Sequence, residues 1–267
     1  MTSNHHLIDL SVSIDAGSWE PEPVQRLVTN HREGADKLGR SHLTFGPVDR
    51  EPRHVDHRDF PDEMGLSLMT YRLTTHTGTH VDAPYHYGWR AGAEGTQRTV
   101  TEIPLSWCYG PGVHLDFSGD ETEAIDARGV QRRLSGLGRE LGEGDIVLIN
   151  TGACQKVGSR EYFTDYRGVD TSALRLILEK GVKTIGTDTF SFDPPFRRMI
   201  DDYVRTGDKG LLWPAHVLGR DIEYIQIERL GNLHELPGPT GFTVCCFPIK
   251  LEKADAAWSR VVAIVEQ

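Results

Sequence analysis

Three histidines and one aspartate fall within residues 76–86, in the run His-Thr-Gly-Thr-His-Val-Asp-Ala-Pro-Tyr-His. Imidazole nitrogens and carboxylate oxygens are common ligands of zinc, and manganese takes the same types. The run is not a zinc-protease helix, because glycine and proline interrupt it and no glutamate follows the first histidine. We predict a bent loop that aims His76, His80 and Asp82 at one ion and leaves His86 nearby. A histidine-rich surface loop is the alternative.

A strand and a turn should position this loop. Alternation over residues 67–75 predicts a strand that leads into His76, Gly78 would permit a sharp turn, and Pro84 would stiffen the exit. Residues 47–64 are expected to be irregular. Further predicted strands are 7–12, 113–117, 146–149, 182–185, 222–227, 242–251 and 261–265, and predicted helices are 31–40, 126–137, 170–180 and 194–205. Strands outnumber helices, which favours one mixed α/β domain over residues 1–267.

A complete metal site needs ligands from elsewhere in the chain. His216 and Glu228 are the candidates. Asp188 is a further candidate, either as a ligand or as the hydrogen-bond acceptor behind a ligand. A ligating imidazole is neutral, and its second nitrogen needs an acceptor that fixes the tautomer. Glu228 or Asp188 could supply that acceptor or bind the metal directly. A structural role for His216 is the alternative.

The predicted site suggests acid–base and Lewis-acid chemistry. A divalent ion polarises a carbonyl or lowers the pKa of a bound water from about 15.7 toward about 7. His86 could take or give a proton, since an unperturbed imidazole pKa is about 6.5; a further ligand role is its alternative. The sequence has no nucleophile elbow, P-loop or dinucleotide-binding motif. Aromatic residues could line an apolar pocket or pack in the core: Trp19, Tyr85, Tyr87, Trp89, Phe190 and Phe192.

Composition narrows the class of protein. Hydrophobic residues make up 38% and charged residues 25%, as in soluble globular enzymes. A formal charge of −10 argues against a nucleic-acid partner, and no apolar run has the length of a membrane span. The four cysteines form no C-x-x-C motif, and the N-terminus lacks a signal-peptide plan. We therefore expect a cytoplasmic protein that acts on a small molecule.

The run over residues 76–86 matches, unbroken, the H-x-G-T-H-x-D-x-P-x-H motif of a metal-dependent family that includes putative cyclases, kynurenine formamidase and isatin hydrolase. Residues 8–11 and 186–188 resemble the same family. The resemblance implies a swivelling β/β/α fold, assembled as a homodimer or homotetramer. It also implies roles for the motif and the later pair: a first metal on His76, His80 and Asp82, a completed centre with His216 and Glu228, and acid–base work for His86.

The sequence leaves three functions open. The first is metal-dependent ring closure, by an aldol-type step, of an aromatic polyketide-like substrate; residues 19–24 and 227–233 resemble the polyketide-cyclase branch. The second is hydrolysis of an arylformamide, lactam or lactone at the same site. The third is a catalytically silent metal-binding scaffold, against which an intact His86 argues. Zinc is the favoured metal and manganese the second choice.

Overall fold

The computed structural model describes residues 5–40, 55–120 and 124–266. The strands are β1 His5–Asp9, β2 Gln25–Thr29, β3 Leu68–Arg72, β4 His80–Asp82, β5 Tyr109–Asp116, β6 Ala124–Ile125, β7 Ile146–Asn150, β8 Gly168–Val169, β9 Thr184–Thr187, β10 Ile225–Glu228, β11 Thr243–Cys245, β12 Ala256–Trp258 and β13 Val262–Glu266. The α-helices are α1 His31–Gly39, α2 Ala127–Leu134, α3 Glu161–Thr164, α4 Thr171–Leu178, α5 Phe196–Thr206 and α6 Pro214–Leu218.

The main sheet is mixed and contains nine strands in the order β1-β13-β11-β5-β7-β9-β10-β4-β12. The four strands β5, β7, β9 and β10 run parallel. The remaining strands join antiparallel on either side, with β4 between β10 and β12. Parallel strands need crossover connections, which helices such as α4 supply. The predicted mixed α/β fold with a mixed sheet is confirmed.

Strand β7 shows why the centre of this sheet is stable. Its continuous apolar run predicts a strand covered on both faces, and every residue of β7 is buried. Ile146 and Leu148 belong to one hydrophobic cluster, and Val147 and Ile149 belong to another. Successive side chains point to opposite faces of a strand, so the parallel strands separate two cores.

Helices α2 and α4 begin where the sequence supplies a side-chain cap. Asp126 accepts a hydrogen bond from the Gly129 amide at the start of α2, and Asp170 accepts one from the Ser172 amide at the start of α4. A capping oxygen satisfies an amide that has no partner inside the helix. Both predicted helices are confirmed, although each ends earlier than expected.

The chain groups into two compact units. One contains residues 15–17 and 22–73, with the β2–β3 hairpin and α1. It also holds short 3-10 turns at His57–Asp59 and Pro61–Glu63. The other contains the main sheet. Residues 47–54 of the predicted irregular segment lie outside the described residues, and the single domain over residues 1–267 stays a prediction.

Three local predictions are correct only in part. The bent loop is instead partly strand β4, because residues 80–82 pair with β10 on one side and β12 on the other. The strand over 67–75 is shorter and pairs with β2 in the hairpin. The strand over 242–251 is reduced to β11, and neither β12 nor α6 was expected from the sequence.

Candidate metal centre

Strand β4 positions the first candidate ligands. His80 lies directly opposite Glu228 of β10, and Asp82 is two residues further along β4. Because side chains alternate along a strand, His80, Asp82 and Glu228 project from the same face of the sheet. His80 and Asp82 are fully buried and Glu228 is nearly so. The sheet register therefore brings two sequence-distant carboxylates and one imidazole together.

A tight turn brings His76 back over β4. Gly78 has a φ of 70°, and an added Cβ would lie 2.6 Å from the Ile14 side chain, so both conformation and space favour glycine there. The Thr79 hydroxyl accepts a hydrogen bond from the Val12 amide and donates one to the Arg229 carbonyl. These bonds anchor the turn, and the predicted role of Gly78 is confirmed.

His76, His80 and Asp82 form one group of donor atoms. The His76 Nδ1 atom lies 3.1 Å from His80 Nε2 and 3.0 Å from Asp82 Oδ1, and His80 Nε2 lies 3.3 Å from the same oxygen. Metal bonds of about 2.0–2.1 Å in a tetrahedron place neighbouring donors about 3.3 Å apart. The three spacings are close to that value.

The hydrogen bonds of these histidines fix the tautomers that a metal needs. His80 Nδ1 lies 2.8 Å from the Gly78 carbonyl, and His76 Nε2 lies 3.0 Å from Asp255 Oδ2. Both oxygens are acceptors, so these nitrogens donate, and in the neutral form of each ring the other nitrogen carries the lone pair that a metal takes. Those lone pairs face the shared space beside Asp82.

A second donor group lies around the other oxygen of Asp82. His216 Nε2 is 3.9 Å from Asp82 Oδ2 and 3.7 Å from Glu228 Oε1, while His80 Nε2 is 3.6 Å from Glu228 Oε2. His216 lies on α6, which follows Trp213 in a left-handed conformation. Its Nδ1 is hydrogen-bonded to the buried carboxylate of Asp193, which leaves Nε2 free for a metal.

The electrostatics of the site fit a cation. Among the described residues, neither oxygen of Asp82 accepts a well-aligned hydrogen bond, although a buried carboxylate normally accepts several. Burial disfavours the Asp82 carboxylate, but the imidazoles of His80, His86 and His76 outweigh it and hold its pKa well below the usual range. Burial and the neighbouring Asp82 charge raise the pKa of Glu228 well above its ordinary value. A divalent cation would compensate both buried carboxylates.

The two histidines of the first group have opposite protonation preferences. Burial lowers the pKa of His80, which keeps that imidazole in the neutral form that binds metals. Burial also opposes charge on His76, but the carboxylates of Asp82 and Asp255 outweigh it and raise its pKa to about 10. In the metal-free protein His76 therefore holds a proton where an ion would bind.

His86 lies beside both donor groups. Its ring centroid is 4.3 Å from that of His76 and 5.3 Å from that of His216. Its Nδ1 lies 3.6 Å from Asp255 Oδ2. The structure thus brings together all five predicted ligands and the predicted acid–base residue. Their roles as ligands and as acid–base group stay predictions.

Asp188 lies elsewhere and has a different function in the fold. Its carboxylate accepts hydrogen bonds from the Thr151 amide and hydroxyl and from the Cys154 amide. Asp193, rather than Asp188 or Glu228, is the acceptor behind His216. Sequence reasoning missed Asp193 and Asp255; two prolines after Asp193 mark a positioned turn, but Asp255 has no comparable local signal.

An apolar cavity of about 410 Å³ opens over the donor groups. His76, His86, His216 and Glu228 lie at its polar end. Its apolar lining is Phe190, Phe196, Met199, Ile200, Leu212 and Trp213. No lysine or arginine occurs among the described residues that line it. Of the aromatic residues proposed from the sequence, Phe190 lines this cavity, whereas Tyr87 and Phe192 are buried in the core.

The fold and the donor groups define a mixed α/β protein with a candidate metal centre beneath an apolar cavity. The sequence profile of the putative cyclase family matches residues 8–194. A kynurenine formamidase of Salinibacter ruber is 28% identical over 203 residues, which cover 75% of this chain and 81% of that protein. The chain therefore belongs to the putative cyclase family, and it is an enzyme.

Solved structures show the same fold. An isatin hydrolase bound to the product analogue thioisatinate aligns with a TM-score of 0.72 and 19% identity, covering 98% of this chain and 93% of that one. A potential metal-dependent hydrolase with cyclase activity aligns with a TM-score of 0.64 and 18% identity, covering 99% and 100%. The predicted resemblance is confirmed. These relatives support the hydrolase alternative better than polyketide ring closure. Among the described residues, no helix combines the length and apolar character needed to span a membrane.

Proposed function

We propose that this enzyme is a metal-dependent hydrolase that opens the amide bond of a small, uncharged aromatic substrate, such as a lactam fused to an aromatic ring or an arylformamide. The observation that carries the proposal is the apolar cavity directly over the two donor groups. The relatives named as a kynurenine formamidase and an isatin hydrolase support the hydrolytic reaction.

His76, His80 and Asp82 would hold one divalent ion, and His216 and Glu228 would hold a second position with Asp82 between them. Such an ion supplies a Lewis acid that polarises the amide carbonyl and lowers the pKa of a water molecule. His86 would move the proton. Its Nδ1 is near Asp255, so Nε2 is the nitrogen available to take a proton from water and return it to the departing nitrogen.

The cavity lining selects the substrate. Aromatic and aliphatic side chains bind an aromatic ring by excluding water. A charged amino-acid tail, as in N-formylkynurenine, would meet no lysine or arginine among the described lining residues and would approach Glu228. An unpaired charge against an apolar lining is costly. The cavity volume is near the low end of the usual range of about 300–1,000 Å³, which favours one or two rings over a folded polyketide chain.

The test is a comparison of kcat/KM for isatin, N-formylaniline, N-formylkynurenine and an aromatic poly-β-ketone, with zinc or manganese and with chelator. We expect chelator-sensitive hydrolysis of a neutral substrate, with a kcat/KM at least about tenfold higher than that for N-formylkynurenine. A tenfold difference in kcat/KM requires only about 1.4 kcal/mol of difference in transition-state binding. The His86→Ala variant should bind metal and lack turnover. Faster conversion of N-formylkynurenine, or reaction of the poly-β-ketone alone, would contradict the proposal.

A further inference from the structure

Asp255 hydrogen-bonds one candidate functional histidine and places the same carboxylate oxygen close to a second. Its Oδ2 lies 3.0 Å from Nε2 of His76 and 3.6 Å from Nδ1 of His86. The rings of these two histidines are adjacent, with centroids 4.3 Å apart. A candidate metal ligand and the candidate acid–base group therefore share one anionic partner.

The other carboxylate oxygen of Asp255 is held by the protein frame. Oδ1 accepts a hydrogen bond of 3.1 Å from the Thr75 hydroxyl and one of 2.9 Å from the Ala256 amide. The two bonds fix the plane of the carboxylate and direct Oδ2 toward the histidines. Such preorganisation makes a polar group effective as a positioning residue.

The sheet places Asp255 at this point. It immediately precedes β12, whose Ala256 and Trp258 lie opposite Asp82 and His80 of β4. Its main-chain carbonyl also accepts a hydrogen bond of 2.9 Å from the Ala83 amide. The residue thus contacts the motif from the start of the edge strand, 169 to 179 residues away in sequence.

We infer that Asp255 is a positioning residue that acts on the metal centre and on proton transfer at once. Through His76 Nε2 it selects the tautomer whose Nδ1 faces the metal position. Through its negative charge 3.6 Å from His86 Nδ1 it favours the tautomer with the proton on Nδ1, so that Nε2 remains available for the proton. This inference rests on the proposed function, because it takes His76 as a ligand and His86 as the acid–base group.

The test uses the full-length protein with Asp255 replaced by Ala, and two measurements. The first is the zinc dissociation constant, from competition with a chelator, which requires no substrate. At pH 10, where the proton of His76 no longer competes with zinc, loss of the acceptor should weaken zinc binding about 10- to 100-fold, the usual effect of removing a partner of a ligating histidine. The second is kcat at saturating zinc, which should fall at least about tenfold while KM stays within about threefold.

Glu252→Ala is the matched control, since it removes the same charge from an exposed position three residues upstream; both constants should equal those of the wild type. Circular dichroism establishes that each variant is folded. Should Asp255→Ala not fold, Asp255→Asn keeps the side-chain size and should weaken zinc binding about tenfold. The inference is overturned if either constant of a folded Asp255 variant stays within threefold of the wild type. If the wild type hydrolyses none of the substrates, the proposed function fails, and the zinc constant alone then decides the role of Asp255.

Discussion

Metal binding by this enzyme should depend steeply on pH, because an ion must displace the proton of His76. The carboxylates of Asp82 and Asp255 raise the pKa of this imidazole to about 10 in the metal-free protein. A ligating histidine must be neutral. At pH 7, three units lower, about one molecule in a thousand has His76 deprotonated.

This fraction sets the expected magnitude. The apparent zinc dissociation constant should fall about tenfold for each pH unit between pH 6 and 9, and it should level off near pH 10. Glu228, whose pKa is also raised, adds to the slope if it loses its proton on binding. Each ion bound at pH 7 should therefore release at least one proton.

The assay is a competition titration against a chelator of known pH dependence, with proton release measured in weakly buffered solution. His234→Gln, at an exposed histidine outside the site, is the control and should reproduce the wild-type profile. A dissociation constant that does not change between pH 6 and 9 would refute the assignment of His76 as a ligand that carries a proton in the metal-free protein.

Three further substitutions test the surroundings of the site. Arg229→Leu should destabilise the protein by about 3–5 kcal/mol in urea unfolding, because it leaves the buried carboxylate of Glu20 without its ion-pair partner. Adding Glu20→Gln should recover much of that loss. An unaltered unfolding midpoint for Arg229→Leu would contradict the ion pair. Ile200→Asp puts a charge into the cavity lining and should raise KM at least about tenfold. The control Val204→Asp, one turn along α5 and 75% exposed, should leave KM unchanged. Equal effects of the two substitutions on KM would refute the cavity as the substrate site. Gly78→Ala should cost about 2–4 kcal/mol, from its positive φ and the close contact it creates, and unaltered thermal stability would show that the turn differs from that described.

The sequence predicted which residues come together at the site better than it predicted their local structure. The motif and the pair His216 and Glu228 could be identified because residue types and their spacing can be read directly from the sequence. Strand β4 was not, because its three residues are all buried between two strands and two of them are polar. Period-two alternation, the signal used for strands, requires one exposed face.

The partners behind the candidate ligands depend on the folded sheet. Asp193 reaches His216 across 23 residues and Asp255 reaches His76 across 179. The prolines after Asp193 mark a turn but do not identify its partner, and Asp255 has no local signal, since both contacts arise from α6 and from the register of β12 on β4. The apolar side of the cavity has the same origin, because α5 and Trp213 come together only in the fold.

Hydrolysis by this enzyme is tested most directly by following whether an oxygen atom of the solvent enters the product. The enzyme with zinc would convert a neutral aryl lactam in oxygen-18 water, and the product would be analysed by mass spectrometry. Ring opening by hydrolysis predicts one solvent oxygen in the new carboxylate and no reaction in the His86→Ala variant. A product that contains no solvent oxygen, or one that has lost water through ring closure, would contradict the account.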